Sequence, residues 1–206
     1  MSVRVMSFAA GMDEAASVLA DGGLLLFPTE TVYGVGARWD RADAVAAVYN
    51  AKGRPADKPL QVLVGSVEAA RSMAAIDDPA FERLAAAFWP GALTLVVPAA
   101  AGLPREVLAG DGTVGLRCPN HAGLRALLQM AGPLAASSAN RSEEPPATDC
   151  AAAVAALGDW AQLALDSGPC SGGVPSSVVR LSDGELTVLR AGALDEQHLR
   201  QVAAHD

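Results

Sequence analysis

Residues 27–60 read FPTETVYGVGARWDRADAVAAVYNAKGRPADKPL, which passes from an apolar strand through a polar, glycine-containing loop into a helix that ends in a cationic turn. The turn contains Lys52, Arg54 and Lys58, and Lys52 and Lys58 are the only two lysines among the 15 basic residues of the chain; the other 13 are arginines. An ammonium is a compact point charge, whereas a guanidinium is a planar fork that pairs with two oxygens. The pattern therefore indicates an anion that requires both kinds of cation.

The same segment also has the features of an ordinary helix end. Gly53 suits the position after the last helical residue, cations favour the negative end of the helix dipole, and Pro55 stops the helix. This alternative explains the charge but not the choice of lysine. For the preceding loop, the alternative is a connection that binds nothing, although Gly34 and Gly36 would allow the backbone to approach a ligand closely.

Several motifs occur in a recognisable order along the chain. PTETVYGVG and KGRPADKPL are followed by WPGALTLVVPA (89–99), GLRCPNH (115–121), SSANRS (137–142), PSSVV (175–179) and VLRAGAL (188–194). Together they resemble the YrdC-like family over residues 10–194. The resemblance implies an α/β fold in three layers, with a twisted mixed sheet flanked by helices and a concave central cleft. It also implies synthesis of threonylcarbamoyl-AMP from L-threonine, bicarbonate and ATP for tRNA modification.

Composition is consistent with such an enzyme. A chain of 206 residues with 51% hydrophobic and 18% charged residues predicts one globular domain over 1–206. The net charge of −8 argues against a protein that mainly grips a phosphate backbone, so at most weak tRNA binding is expected. Because the sequence has neither a long apolar run nor a signal-peptide layout, we expect a cytoplasmic protein that does not span a membrane.

Local patterns predict interleaved strands and helices and hence a mixed sheet covered by helices. The three cysteines, Cys118, Cys150 and Cys170, are far apart and are expected to be free thiols. Strands are predicted at 3–8, 24–27, 60–64, 93–97, 113–118, 133–136, 163–166, 177–181 and 186–189, and helices at 13–20, 41–52, 67–74, 79–88, 122–130, 149–157 and 195–203.

The resemblance implies a set of functional residues. Positioning and positive charge, rather than covalent chemistry, are what the adenylation requires of the protein. Mg²⁺ is expected to arrive with ATP, with no metal-binding side chains. The implied catalytic residues are Lys52 and Arg54; the implied threonine contacts are Thr31, Arg117 and Ser176; the implied ATP contacts are Lys52, Arg54, Lys58, Ser138, Asn140 and Arg190.

Two positions depart from the family pattern. Leu63 stands where many relatives have a histidine, so one threonine contact is expected to be lost or replaced. Glu143 and Glu144 stand where a Ser-Gly pair is usual, which alters the loop expected on the nucleotide side.

Other functions compete with the synthase. An RNA-binding module of the same fold and a carbamoyl-adenylate-forming domain related to hydrogenase maturation factors remain alternatives. A serine hydrolase is disfavoured, because there is no G-x-S-x-G motif and Ser138 has no convincing histidine partner. His121 is interpreted as the start of a helix rather than a base. The expected recipient of the adenylate is a tRNA threonylcarbamoyl transferase complex.

Overall fold

The computed structural model describes residues 3–55, 57–182 and 184–204. The predicted strands and helices are present with boundary shifts of a few residues, and one further strand was not predicted. The strands are β1 (Arg4–Ser7), β2 (Leu25–Phe27), β3 (Gly34–Arg38), β4 (Gln61–Leu63), β5 (Leu93–Pro98), β6 (Thr113–Arg117), β7 (Leu134–Ser138), β8 (Leu163–Asp166), β9 (Ser177–Ser182) and β10 (Glu185–Arg190). The helices are α1 (Met12–Ala20), α2 (Ala42–Lys52), α3 (Val67–Met73), α4 (Pro79–Phe88), α5 (Ala122–Ala131), α6 (Cys150–Leu157) and α7 (Glu196–Ala204).

The strands form one mixed sheet in the order β1-β8-β2-β3-β7-β4-β6-β5-β9-β10. The pairs β1/β8, β2/β8, β4/β6 and β5/β9 are parallel, and the other neighbours are antiparallel. Strands that meet in parallel bring their carboxyl ends to the same edge of a sheet. The loops after those ends are therefore the ones placed to form a common site.

Helices cover both faces of the sheet, as the family resemblance implied. On one face, α1 and α5 bury Leu19, Leu124 and Leu128 against apolar residues of the sheet. On the other face, α2, α4 and α6 contribute to a larger core together with α3 and α7. Within the described ranges, no helix combines the length and the apolar character needed to cross a membrane.

The α1–α5 layer covers only part of its face. The strand residues buried beneath it belong to β2, β4, β7 and β8, and none comes from β5, β6, β9 or β10. Side chains of these four uncovered strands instead line a cavity. The cavity therefore lies where the helical layer stops, with the sheet as its floor.

The segment after β2 differs from the prediction. Residues 34–38 were predicted to belong to a loop, but they form β3, which pairs antiparallel with β2. The two glycines provide close packing rather than an approach to a ligand, because a Cβ on Gly34 would lie 2.6 Å from the Phe27 ring and one on Gly36 would lie 3.2 Å from it. The segment has two glycines and only one β-branched residue, Val35, whereas several β-branched residues usually mark a strand.

Trp89 has a structural role, and the interpretation of His121 as the start of a helix is confirmed. Trp89 packs in the core edge-to-face with Phe81, and its ring nitrogen donates to the Leu93 carbonyl at 2.7 Å. His121 is the N-cap of α5, where its Nδ1 accepts from the Leu124 amide at 3.0 Å. Burial lowers the pKa of His121, which agrees with a neutral imidazole that accepts this hydrogen bond.

Candidate active site

The cavity has a volume of about 460 Å³ and lies between the end of α2, the ends of β4 and β7, and the β9–β10 hairpin. Four arginines line it, together with hydroxyl groups from several strands. A concave space rich in arginine and hydroxyl groups suits a polyanionic ligand. The arginines are Arg54, Arg117, Arg180 and Arg190, and the hydroxyl residues are Thr94, Thr113, Ser137, Ser138 and Ser176.

Arg54 reaches the cavity because α2 ends in a left-handed turn. Gly53 has φ 57°, and its amide and that of Arg54 donate to the carbonyls of Asn50 and Tyr49. Beyond the turn, the Arg54 guanidinium donates to the carbonyl of Lys58 at 2.7 Å and to that of Pro59 at 3.0 Å. The glycine cap predicted for this helix is therefore present, and it directs a cation toward the cavity.

Arg190 is the last residue of β10 and reaches the cavity from the opposite wall. The pairing of β10 with β9 shifts register between Val188 and Arg190. Its guanidinium donates to the Ser176 carbonyl at 2.8 Å and to the Ser176 hydroxyl at 3.1 Å. Although Arg190 is exposed as a whole, loss of hydration at the cavity wall lowers its pKa, and the nearby positive charges of Arg117 and Arg54 add to this effect.

Arg117 differs from these two arginines because its charge is already balanced. Its Nη2 donates to Glu30 at 2.8 Å and to the Thr31 hydroxyl at 2.9 Å, and its Nε donates to the Gly91 carbonyl. The ion pair is buried, with the Arg117 side chain only 3% exposed. In the part of the chain that the structure describes, Arg54 and Arg190 form no such pair. They are therefore the uncompensated cations of the cavity.

Lys52 does not line the cavity. It is 3% exposed, and its Nζ donates to the carbonyls of Ser138 at 2.5 Å and Asn140 at 2.6 Å. In return, the Lys52 carbonyl accepts from the Ser142 amide at 2.9 Å. Burial, and to a lesser degree the charge of Arg54, lowers the pKa of Lys52 to about 8. The lysine thus fastens the end of α2 to the turn that follows β7.

Asn140 stabilises the same turn from within. Its Nδ2 donates to the carbonyls of Arg141 and Glu144, both at 2.7 Å. Ser138 faces the cavity, whereas Asn140 is buried outside the set of lining residues. Glu143 has φ 71°, a left-handed conformation that favours glycine. The departure noted at this position therefore falls on a backbone conformation that glycine would adopt without strain.

Other predicted residues lie near the cavity rather than on its surface. Thr31 is buried behind Arg117, and Lys58 is exposed near the mouth, where its carbonyl holds Arg54. Leu63 is buried in the core beneath α5, so its side chain does not face the ligand space. Gln61, two residues earlier on the same face of β4, lines the cavity instead.

Sequence reasoning missed several residues of this site. Thr94 donates to Gln61 at 2.8 Å and contacts the Ser176 hydroxyl at 2.9 Å, which forms a polar chain across the cavity floor. Glu30 was visible in the PTET motif but was given no partner. Arg180 had no local signal, since an arginine within a strand is usually solvent-exposed.

Neither a metal cluster nor a reactive thiol is evident in the described residues. Within these ranges, no group of three or more His, Cys, Asp or Glu side chains is arranged to hold a metal ion. The three cysteines are free, as predicted. Burial raises the pKa of Cys118 and Cys170, and that of Cys150 to about 11, so these thiols are protonated near neutral pH.

The structure defines an α/β protein with one mixed sheet and an arginine-lined cavity, and comparison with known proteins specifies its family. The Sua5/YciO/YrdC family model, described as "Telomere recombination", matches residues 17–192. The chain therefore belongs to the Sua5/YciO/YrdC family. This family contains the YrdC-like proteins to which the sequence motifs pointed.

Individual relatives agree with this assignment. A protein of Mycobacterium tuberculosis is 39% identical over 196 residues, covering 95% of this chain and 90% of its own. The threonylcarbamoyl-AMP synthase of Bacillus subtilis is 37% identical, covering 92% of this chain and 55% of its own. The structure of Pyrococcus abyssi Sua5 complexed with L-threonine superposes with a TM-score of 0.91 at 35% identity, covering 98% of this chain and 60% of the other. The chain thus spans little more than half of these two longer proteins.

Proposed function

We propose that the chain is a threonylcarbamoyl-AMP synthase, which converts L-threonine, bicarbonate and ATP to threonylcarbamoyl-AMP and pyrophosphate. The observation that carries the proposal is the pairing of two uncompensated cations, Arg54 and Arg190, with the buried Arg117–Glu30 pair around one cavity. The names of the related proteins support it.

The cavity suits an adenylation that relies on electrostatics. The threonine amine attacks bicarbonate and water leaves, which gives a carbamate; a carbamate oxygen then attacks the α-phosphorus and pyrophosphate departs. Negative charge grows on the phosphoryl oxygens during this displacement. Arg54 and Arg190 stabilise that charge, and Ser138 donates to a phosphate oxygen.

Threonine binds at the Arg117 end of the cavity. Thr29 donates its hydroxyl hydrogen to the Val32 carbonyl at 2.6 Å, so in its 2.9 Å contact with Thr31 the hydrogen comes from Thr31. Thr31 also accepts from Arg117 and is left only with acceptor capacity. In this proposal Arg117 and Ser176, which both line the cavity, contact the amino acid, with Arg117 pairing its carboxylate. Thr31, buried behind Arg117, acts by holding that guanidinium in place.

Lys52 and Asn140 act on ATP through the backbone. They hold the turn 138–142, and that turn presents Ser138 to the phosphates. Lys58, exposed beside the mouth, attracts the triphosphate before it is bound. These roles place only Arg54 and Ser138 of the K-x-R and S-x-N motifs in direct contact with the nucleotide.

Mg²⁺ enters this scheme with ATP. Of the described residues that line the cavity, only Asp57 carries a carboxylate. Glu30 and Asp111 lie outside the lining and are paired with Arg117 and Arg180. Mg²⁺ in such sites is held by substrate phosphates and water with few protein ligands. The ion would neutralise charge on the triphosphate, with Asp57 as the available protein oxygen.

The protein acts in the cytoplasm and passes its unstable adenylate to a tRNA threonylcarbamoyl transferase complex.

The test is pyrophosphate release with each substrate omitted in turn. We expect release only when ATP, L-threonine, bicarbonate and Mg²⁺ are all present. Release that is unchanged after bicarbonate is removed would contradict the carbamate mechanism and favour another adenylation.

A further inference from the structure

Arg180 is the fourth arginine of the cavity and has a different environment from the other three. It lies on β9 opposite Val96 of β5, and both side chains line the cavity. Its Nη2 is paired with Asp111 at 2.7 Å. Its Nε, in contrast, is buried and has no hydrogen-bond acceptor. The carboxylate therefore occupies only one corner of the guanidinium.

The Arg180–Asp111 pair is easier to open than the Arg117–Glu30 pair. The two side chains of the former are 35% and 44% exposed, compared with 3% and 17% for the latter. Exposed ion pairs contribute little to stability. A buried N–H donor without an acceptor is unfavourable, so a ligand oxygen that reaches Nε improves the site. Replacing Asp111 by an anionic ligand at Arg180 thus costs little free energy.

The position of Arg180 indicates which part of a ligand it meets. It is four residues beyond Ser176 on an extended strand, which is about 13 Å at roughly 3.3 Å per residue. Asp111 also accepts from the amide and hydroxyl of Thr113, another residue of the cavity lining. Arg180 and Thr113 therefore mark the end of the cavity farthest from Arg117 and Ser176.

We propose that Arg180 binds the pyrophosphate portion of ATP, the β- and γ-phosphates, and exchanges Asp111 for phosphate oxygens when the nucleotide enters. This assignment rests on the proposed function, in which the amino acid occupies the Arg117 end and the phosphates extend away from it. Asp111 then holds Arg180 in place in the free protein and competes with the phosphates for its guanidinium. Removal of Arg180 should therefore weaken pyrophosphate binding, whereas removal of the Asp111 charge should strengthen it.

Calorimetric titration with inorganic pyrophosphate, and separately with AMP, tests the proposal. We expect Arg180→Met to weaken pyrophosphate binding about tenfold or more, because a charge-assisted contact is lost, and to leave AMP binding within about twofold. Asp111→Asn keeps an oxygen for Thr113 but removes the competing charge, so we expect it to tighten pyrophosphate binding about threefold. Arg71→Met and Glu82→Gln break a similar exposed pair on α3 and α4, outside the cavity, and should change neither affinity.

The role of Arg180 would be overturned by unchanged pyrophosphate affinity in a folded Arg180→Met protein, or by weaker binding in Asp111→Asn. A loss of AMP binding in Arg180→Met would place the arginine at the nucleoside instead and would equally refute the proposal. Because the titration needs no turnover, it stays separate from the proposed function, which fails if the wild-type protein releases no pyrophosphate from the complete substrate mixture.

Discussion

Lys52 is a buried ammonium whose two contacts both end on carbonyl groups of one turn. Lys52→Arg keeps the charge but inserts a longer, planar group where little space remains. We expect the free energy of unfolding to fall by about 1–3 kcal/mol, and the KM for ATP to rise more than the KM for threonine because the Ser138 turn moves. Urea unfolding and steady-state kinetics measure both.

Lys58→Arg is the matched control, since Lys58 is exposed and Arg54 contacts only its backbone carbonyl. Its stability should remain within about 0.5 kcal/mol of the wild type. Equal stability of the Lys52→Arg and Lys58→Arg proteins would contradict the conclusion that Lys52 fastens the end of α2 to the turn after β7.

The same ammonium makes stability depend on pH. Its pKa is about 8 in the folded protein and near 10.4 in an unfolded chain. Between these values the unfolded state binds more protons, so stability rises with pH. The cost of burying the charge is therefore fully present below pH 8 and disappears above about pH 10.4. We expect the unfolding free energy of the wild type, relative to Lys52→Met, to increase from pH 8 to pH 10. A constant difference across urea titrations at these pH values would argue against a depressed pKa.

The sequence identified some residues of the site but not others, and it did not show where their side chains point. The sequence singled out Lys52, because it is one of two lysines among 15 basic residues, but it did not reveal that the side chain points to backbone carbonyls rather than to the cavity. Arg180 went unnoticed, since its importance depends on which strands flank β9. Side-chain direction at a helix end, and neighbours across a sheet, depend on tertiary packing that local patterns do not contain.

The β2–β3 hairpin depends on a glycine packed against an aromatic ring. A Cβ at position 34 would lie 2.6 Å from Phe27 Cε2, and Gly34 is not among the glycines with positive φ. Gly34→Ala is therefore expected to destabilise the protein by steric overlap alone, by about 1–3 kcal/mol. The midpoint of urea unfolding provides the measurement.

Gly110→Ala serves as a control because nothing lies within 4 Å of a Cβ placed there. Phe27→Leu should cost less stability in the Gly34→Ala background than alone, because the ring that causes the overlap is gone. Additive effects of the two substitutions would show that the contact is not the cause.

Elements with a strong local pattern were predicted well, whereas β3 was not. Helices such as α5 have apolar residues at helical spacing and a capping residue, His121, at the start. Strand β3 contains two glycines within five residues, and its existence follows from pairing with β2 and β7. A glycine that meets a ligand and a glycine that meets Phe27 have the same sequence signal.

The acidic balance of the whole molecule limits its affinity for RNA. With a net charge of −8, few phosphate contacts are available to release counterions. We expect bare tRNA to bind more weakly than about micromolar at physiological salt, as measured by fluorescence anisotropy. Tight binding that weakens steeply with added salt would favour the RNA-binding alternative over the synthase.

The order of the ten strands could not be read from the sequence. The family resemblance supplied the mixed sheet and its layers, but the cavity exists because α1 and α5 leave one part of a face uncovered. That arrangement depends on where two helices stop over a sheet, a relation between distant segments. Gln61 and Thr94 on the cavity floor can be recognised as site residues only once the positions of α1 and α5 over the sheet are known.

One wall of the cavity is also the edge of the sheet. Among the residues that the structure describes, strand β10 pairs with β9 alone, yet it carries Leu189 and Arg190 of the cavity lining. Edge strands open locally at lower free energy than central ones. We therefore expect amide hydrogens of β10 to exchange with deuterium faster than those of β4 and β7, and to become protected when ATP is bound. Uniform exchange across these strands, with or without ATP, would contradict this. If β10 exchanges as expected, the nucleotide enters and leaves when the β9–β10 hairpin frays, while the remainder of the sheet stays closed to solvent.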